Sequence, residues 1–433
     1  MKILVIGSGG REHALVSTFE RQGHTAYCLP GNAGTAFPCE RDCSGLARTS
    51  HQALKKLKAD DSLNQKKFAD FAKDHAIDLT VVGPEQPLAD GIIDYFIQQR
   101  LPIFGPTQQA ARLESSKVWA KRFLKKYAIP TADYVIVDSD QVALPLIQQQ
   151  LELQQSVVIK ADGLRAGKGV FVCTHLEDAL SAWKTMQGKA LLEERLVGPE
   201  VSVFALFDEN HWLPMLPARD YKRLLDGNRG PNTGGMGAYV CQMPVSQDIL
   251  AIISRTHKAL QKEAICYRGL LYFGLIETDS GPKVLEFNCR FGDPETQALL
   301  PLLKSDLAEA MLSVCHGQLS QQRLEWKQCA SVSVCMASQG YPAAYQTGFV
   351  IEGLEEVATA EDVTVFHAGT KKNVQGQTVT SSGRVLSVTA LGRSLEQAAQ
   401  KAYAHVEKIR FVKAFYRKDI AVESVGNPLS NSG

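Results

Sequence analysis

Residues 283 to 296 read Lys283-Val284-Leu285-Glu286-Phe287-Asn288-Cys289-Arg290-Phe291-Gly292-Asp293-Pro294-Glu295-Thr296, and they hold the most telling set of reactive side chains in the chain. In an extended strand, alternation places Val284, Glu286 and Asn288 on one face and Leu285 and Phe287 on the other. Two oxygen donors two residues apart suit magnesium, which takes one or two protein oxygens and completes its shell with phosphate and water. Arg290 comes next on that face, where a fixed guanidinium can hold a phosphate or a carboxylate. A structural salt bridge would explain Glu286 and Arg290, but not the alignment of all three.

A second reactive stretch runs from Val157 to Cys173: an apolar strand ending in Lys160, a turn with Gly163, Gly167, Lys168 and Gly169, and a β-type run Val170-Phe171-Val172. Backbone N–H groups in such a turn can surround phosphate oxygens, and the two lysines add point charges. The stretch is not a P-loop, which needs four residues between its glycines, a Ser or Thr after the lysine, and a helix. It reads as a hairpin tip that folds over a nucleotide; taken alone, an ordinary charged surface hairpin fits it equally well. Further on, Ala190 to Leu196 reads as a strand entering the turn Val197-Gly198-Pro199-Glu200, a segment suited to binding adenine by backbone and ribose by Glu200. A second glycine-rich loop, Gly230-Pro231-Asn232-Thr233-Gly234-Gly235-Met236-Gly237, has no helix after it and suits close backbone approach to a reacting group.

These groups need elements to position them. Ile3 to Ile6 with Gly7-Ser8-Gly9-Gly10 reads as a buried parallel strand, a glycine turn and a helix start, the opening of a doubly wound α/β domain. Glu12 stands where a dinucleotide fingerprint would have its third glycine, and no acidic residue ends the next strand, which argues against NAD and a dehydrogenase. Loops after this strand and after Leu79-Thr80-Val81-Val82 gather Gly7, Gly9, Gly10, Asn32, Gly34 and Glu85 into a candidate pocket for a phosphate-bearing small molecule. Leu88 to Gln99 reads as one helix, Lys55 to Asp74 as a solvated helical surface, and Ser115 to Tyr127 as a capped helix with Trp119, Phe123 and Tyr127 on one side.

The chain has 433 residues, 45% hydrophobic and 21% charged, with a formal net charge of +1. That length accommodates two to four domains, and that balance favours neither nucleic acid nor a membrane surface. Ten cysteines lie without a metal-like spacing, and no apolar run reaches the length of a membrane span. Reduced thiols and a cytoplasmic location are the expectation.

In order along the chain, Gly7-Ser8-Gly9-Gly10-Arg11-Glu12-His13, Pro30-Gly31-Asn32-Ala33-Gly34, Gly83-Pro84-Glu85, Lys160-Ala161-Asp162-Gly163, the Asn232 loop and the Glu286-to-Glu295 stretch resemble the ATP-grasp ligases, and within them the phosphoribosylamine–glycine ligase family. The resemblance runs from Met1 to about Ile420. It implies an α/β and α+β multidomain fold: a doubly wound N-terminal domain for phosphoribosylamine (1–103), a two-lobed ATP-grasp region (104–322, lid lobe about 122–192), a strand-rich C-terminal domain (323–425) and a polar tail (426–433).

It also implies a reaction, in which ATP, glycine and 5-phosphoribosylamine give ADP, phosphate and glycinamide ribonucleotide by way of glycyl phosphate, the second step of de novo purine synthesis. Lys117 and Lys160 are then expected on ATP phosphates beneath a lid from Gly163 to Gly169, with Glu193, Glu194, Leu196 and Glu200 around adenosine. Glu286 and Asn288 are expected to ligate magnesium or manganese, and Asp220, Lys222, Asn232 and Arg290 to line the reaction centre. The implied partners are small molecules only, with a monomer or weak homodimer. The chain departs from the family pattern at Arg165 in the lid, at Ala218-Arg219, at Glu277, at Ser382 and Ala421, and in a short connection from Lys184 to Ala190. The alternatives are an ATP-grasp ligase with another acceptor and a nucleotide-binding regulatory protein without catalysis; loss of Glu286, Asn288 or Arg290 would favour the latter.

Overall fold

Ile3, Leu4, Val5 and Ile6 are all fully buried, because the strand they form (Lys2–Gly7) is covered on both faces. It lies inside a four-stranded parallel sheet with the order Thr25–Pro30, Lys2–Gly7, Leu79–Val82, Ile103–Phe104. The computed structural model describes residues 1–35, 64–154, 156–165, 169–186 and 189–422. Helix Gly10–Arg21 packs on this sheet through Ala14, Leu15 and Phe19. The strand ends therefore deliver Gly7 to Gly10, Gly31 to Gly34 and Gly83 to Glu85 to one edge, where open α/β sheets take ligands.

The single helix expected over 88–99 is two, Glu85–Ala89 and Ile92–Gln98. Gly91 separates them with φ +84°, a left-handed turn that glycine adopts without steric cost. Leu88, Ile92, Ile93 and Phe96 are buried all the same. Of the charged stretch 55–74, the described part is helix Gln65–Asp74, and residues 55–63 lie outside the described residues, as does the tail after 422.

The lid lobe is an antiparallel sheet ordered Tyr134–Val137, Ala190–Glu193, Val157–Ala161, Val170–Cys173, so the glycine turn does join two paired strands. Helices Asp140–Gln154 and Leu176–Lys184 cover one face through Ala143, Ile147, Ala179, Ala182 and Trp183. The strand expected over 190–196 stops at Glu193.

A larger sheet holds the remaining chemistry, in the order Gly281–Asn288, Gly269–Thr278, Glu200–Phe207, Ala218–Asp220, Gly237–Val240, Ala330–Ser338, Arg384–Gly392, Val363–His367. Gly237–Val240 pairs with Ser331 to Val334, so the strands of the C-terminal region continue the sheet without a seam. One expectation fails here. Gly274 pairs with Glu286 but Leu275 pairs with Val284, which leaves Leu285 as a bulge. The bulge shifts the alternation by one residue. Val284 is thus buried with Phe287 in the core, while Leu285 turns with Glu286 and Asn288 to the open side.

Candidate functional site

Between the lid lobe and the large sheet lies a cleft of about 750 Å³. Lys117, Lys160, Gly169, Glu193, Glu194, Leu196, Glu200, Asp220, Lys222, Asn232, Glu286, Asn288, Arg290 and Glu85 all line it. Gly163, Gly7, Gly9, Gly10, Asn32 and Gly34 do not, and Gly167 and Lys168 lie outside the described residues.

The lid-side wall starts at Ser116, whose hydroxyl caps helix Lys117–Lys126 by accepting from Trp119 N at 3.1 Å. Trp119, Phe123 and Tyr127 follow on one side, with successive ring centroids 5.4 and 5.3 Å apart. Asp162, at the base of the lid turn, accepts from Ser116 Oγ at 3.1 Å and from Val118 N at 3.2 Å. Lys117 Nζ donates to Gly163 O at 2.9 Å, so the root of the lid is docked on this helix. Lys160 Nζ is 2.9 Å from Glu193 Oε2 and donates to Leu285 O, and Lys121 Nζ is 3.0 Å from the same carboxylate oxygen. Burial pulls Lys121 down to about 8, with Glu193 opposing and Lys160 adding to the shift. Glu193 Oε1 is buried without a hydrogen-bond partner among the described residues, an unused acceptor on a residue that lines the cleft. Arg165 lines the cleft as an exposed residue. Two of the departures from the family pattern answer each other, for Arg219 Nη2 lies 2.8 Å from Glu277 Oε2.

On the opposite wall, Lys222 Nζ lies 3.3 Å from Glu200 Oε2 and 3.8 Å from Glu286 Oε1. Burial alone would lower Lys222, but Tyr272, Asp220, Glu200 and Glu286 outweigh it and hold it well above its ordinary value. Burial would likewise raise Glu286, yet Lys222, Lys117 and Lys160 keep it ionised below the usual range. Asp220 goes the other way: burial, with Glu295, Glu200 and Glu286 nearby, pushes it up to about 7 against the pull of Lys222.

Arg290 is held between two carboxylates, its Nη2 2.8 Å from Glu114 Oε1 and its Nε 3.4 Å from Glu85 Oε2. Glu114 also accepts from Cys289 N at 2.8 Å and, in the amide orientation that satisfies both ends of Asn288, from its nitrogen at 2.9 Å. The Asn288 oxygen is then free of Glu114. Glu286 and Asn288 together supply a carboxylate and an amide oxygen, a donor set that fits a hard divalent cation completed by phosphate and water.

The N-terminal glycine loops lie apart from the cleft lining, beside Asp293 and His367. The Glu12 carboxylate accepts from Gly9 N and Arg11 Nε, both at 2.5 Å. It fills the space that a dinucleotide phosphate would use, and a Cβ on Gly83 would stand 2.0 Å from Glu12 Oε1. Asn32 spends its amide on Ser8 O, Gly9 O and His367 O, while its oxygen accepts from Gly34 N. His367 N donates to His13 Nδ1 at 2.8 Å, which locks these loops to the C-terminal region.

Sequence reasoning passed over several residues of the cleft. Lys121 carried a signal, its spacing of four from Lys117 on one helix. Glu114 carried none, since its partners are 174 to 176 positions away. Arg384 is similar: its Nη1 donates to Gly234 O at 2.6 Å and Asp293 O at 2.8 Å, tying two loops of the wall opposite the lid together.

Family models of phosphoribosylglycinamide synthetase match the chain in three pieces: the N domain over residues 1–114, the ATP-grasp (A) domain over 115–296 and the C domain over 331–423. A phosphoribosylamine–glycine ligase of Caldanaerobacter subterraneus subsp. tengcongensis is 43% identical over 97% of this chain and 99% of its own length. One from Escherichia coli K12 is also 43% identical, over 98% and 99%. Among solved structures, the phosphoribosylamine–glycine ligase of Thermotoga maritima superposes with a TM-score of 0.76 at 33% identity, covering 97% of this chain and all of that one. A Campylobacter jejuni biotin carboxylase, at 16% identity and a TM-score of 0.69 over 99% of this chain and 95% of its own, shares the fold.

Proposed function

The chain belongs to the phosphoribosylglycinamide synthetase family and is an ATP-grasp ligase of de novo purine biosynthesis, and from that premise we propose that its cleft joins glycine to 5-phosphoribosylamine through glycyl phosphate. The observation that carries this reading is the convergence of Lys117 and Lys160 from the lid-side wall, read as the nucleotide wall, on Glu286, Lys222 and Arg290 from the other, read as the reaction wall. Both partners of the first step are anions, so a site that performs it must surround them with fixed positive charge.

In the first step a glycine carboxylate oxygen forms a bond to the γ-phosphorus while the bond to the bridging oxygen breaks, and ADP leaves. Lys117 and Lys160 neutralise the departing charge, and Lys222 and Arg290 orient the attacking carboxylate. In the second step the phosphoribosylamine nitrogen attacks the acyl carbon and inorganic phosphate leaves. Asp220, which changes protonation near pH 7, takes the proton that the amine gives up. Glu286 and Asn288 would hold the divalent metal, taken as magnesium from their all-oxygen donors; when bound it supplies charge neutralisation at the phosphates.

Glu193, Glu194, Leu196 and Glu200 are assigned to adenosine. The loops carrying Gly7, Gly9, Gly10, Asn32 and Gly34, together with Glu85 at the edge of the cleft, are assigned to phosphoribosylamine. Residues 1–103 are accordingly the phosphoribosylamine domain, 104–322 the ATP-grasp region and 323–425 the C-terminal domain. The test is to supply ATP, glycine and freshly prepared phosphoribosylamine and to follow ADP and the ribonucleotide product. Release of ADP that ignores phosphoribosylamine, or that accepts other amino acids equally well, overturns the assignment.

A further inference from the structure

Lys222 and Asn232 stand at the open base of a hairpin, Arg223–Leu225 paired with Arg229–Asn232, that pairs with no other strand among the described residues. A two-stranded ribbon does not hold its own position in water, yet a phosphoryl-transfer site needs such groups fixed to a fraction of an ångström. What holds this ribbon is the segment 417–421.

Arg417 is fully buried, at 0% exposure, and is the largest such side chain among the described residues. Its Nε and Nη2 bond the Asp419 carboxylate at 2.7 and 2.6 Å, its Nη1 donates to Arg223 O at 3.0 Å, and its guanidinium lies 4.7 Å from the Tyr221 ring centroid. Asp419 in turn accepts from Gly227 N at 2.8 Å, and Asp226 accepts from Lys418 N at 2.8 Å, so both base and tip of the ribbon are tied. Tyr221 OH accepts from Ala421 N at 3.0 Å. The ribbon passes this anchoring on to the site: Thr233 N and Thr233 Oγ1 both donate to Lys222 O, at 2.7 and 2.8 Å, and Met236 N donates to Tyr221 O at 2.8 Å.

An ion pair whose guanidinium is fully buried and whose carboxylate is only 14% exposed is a poor way to gain stability, because drawing the charges out of water costs about as much as their attraction returns. Its forked geometry does fix direction. We propose that Arg417 and Asp419 are positioning residues of the ligase reaction: they clamp the ribbon from the C-terminal region and so set where Lys222 and Asn232 meet the reacting groups. This rests on the assignment of Lys222 and Asn232 to the reaction centre.

The experiment compares Arg417→Lys, Asp419→Asn and Asp226→Ala in the full chain by two readouts. The first is amide hydrogen exchange without substrates, where peptides covering 221–237 should exchange faster in each variant while those of the N-terminal sheet should not. The second is steady-state kinetics, where kcat should fall on the order of 10- to 100-fold in Arg417→Lys, with KM for ATP within about twofold because the nucleotide wall lies on other elements. Unchanged exchange in 221–237, or folded variants with unchanged kcat, overturns the proposal; so does a fall in kcat that only follows the folded fraction. Should Arg417→Lys fail to fold, Asp226→Ala decides, since it removes one surface tie without leaving a buried charge unpaired. An inactive parent enzyme would overturn the functional assignment instead, and the exchange measurement would still judge the clamp.

Discussion

Replacing Glu114 by glutamine tests whether one buried carboxylate organises the strand proposed to hold the metal. The carboxylate accepts at both oxygens: Cys289 N on one side, Arg290 Nη2 and the Asn288 amide on the other. A glutamine amide can accept at only one. If its oxygen faces Arg290 and Asn288, its NH2 group meets the buried N–H of Cys289, and an unsatisfied buried donor costs about 1–3 kcal/mol. If it turns over, Arg290 and Asn288 lose their acceptor. Arg290 keeps Glu85 at 3.4 Å, so the loss stays below the ~3–5 kcal/mol of a buried ion pair broken outright. Glu114→Gln should therefore be less stable by about 2–3 kcal/mol in urea unfolding, and Glu114→Ala by more. The functional effect is separate. A group that orients a ligand rather than ligating typically changes metal affinity on the order of 10- to 100-fold when altered, so the magnesium concentration that half-activates ADP release should rise by that factor. A folded Glu114→Gln enzyme with the parent's magnesium requirement would refute the idea that Glu114 aims Asn288.

Two further predictions concern pH. Burial holds His13 near 3 and His367 near 4, so the folded chain binds fewer protons than the unfolded chain below pH 6.5. Stability that is complete above pH 6.5 should fall as the pH drops toward 4, by about 2–4 kcal/mol at pH 5 from the two together. His13→Asn should flatten that slope in urea midpoints taken from pH 8 to 5. For Asp220 the sign is opposite: its carboxyl sits near 7 in the folded chain, so its ionised form costs stability that is fully felt above pH 7 and vanishes below its ordinary value of 3.8. Asp220→Asn should be more stable than the parent at pH 8, by about 1–3 kcal/mol after allowing for its partial exposure, while losing on the order of 100-fold or more in turnover. The parent's kcat/KM should show an acid limb near pH 7; a flat profile there would remove Asp220 as the proton acceptor.

The parts of the site legible in the sequence are those where local pattern and chemistry coincide. Val157 to Ala161 and Val170 to Cys173 form two strands because both are apolar and β-branched, and the glycines between them leave only a turn. Glu286 and Asn288 reach the cleft as their spacing requires. The bulge at Leu285 was not legible, because nothing in Val284-Leu285-Glu286 marks which residue the partner strand skips. Glu114, Arg384 and Arg417 were illegible for a different reason: each ties to at least one group more than ninety positions away, a distance at which only the folded sheet brings them together. Glu12 lies between these cases. Its identity signalled that a dinucleotide would not fit, and the structure gives the reason, a carboxylate already occupying the Gly9 amide of the turn.

The unbroken large sheet has a consequence for how the chain is made. Gly237–Val240 takes its outer partner from residues 331–334, and the ~90 residues between them need roughly 5–20 s to be synthesised at about 5–20 residues per second. For that interval the lobe that carries Asp220 and Lys222 presents an open strand edge, the kind of surface on which nascent chains stick to one another. The reaction wall is thus completed late in translation, and a ribosome that stalls between residues 240 and 331 leaves a lobe that needs shielding rather than a smaller working enzyme.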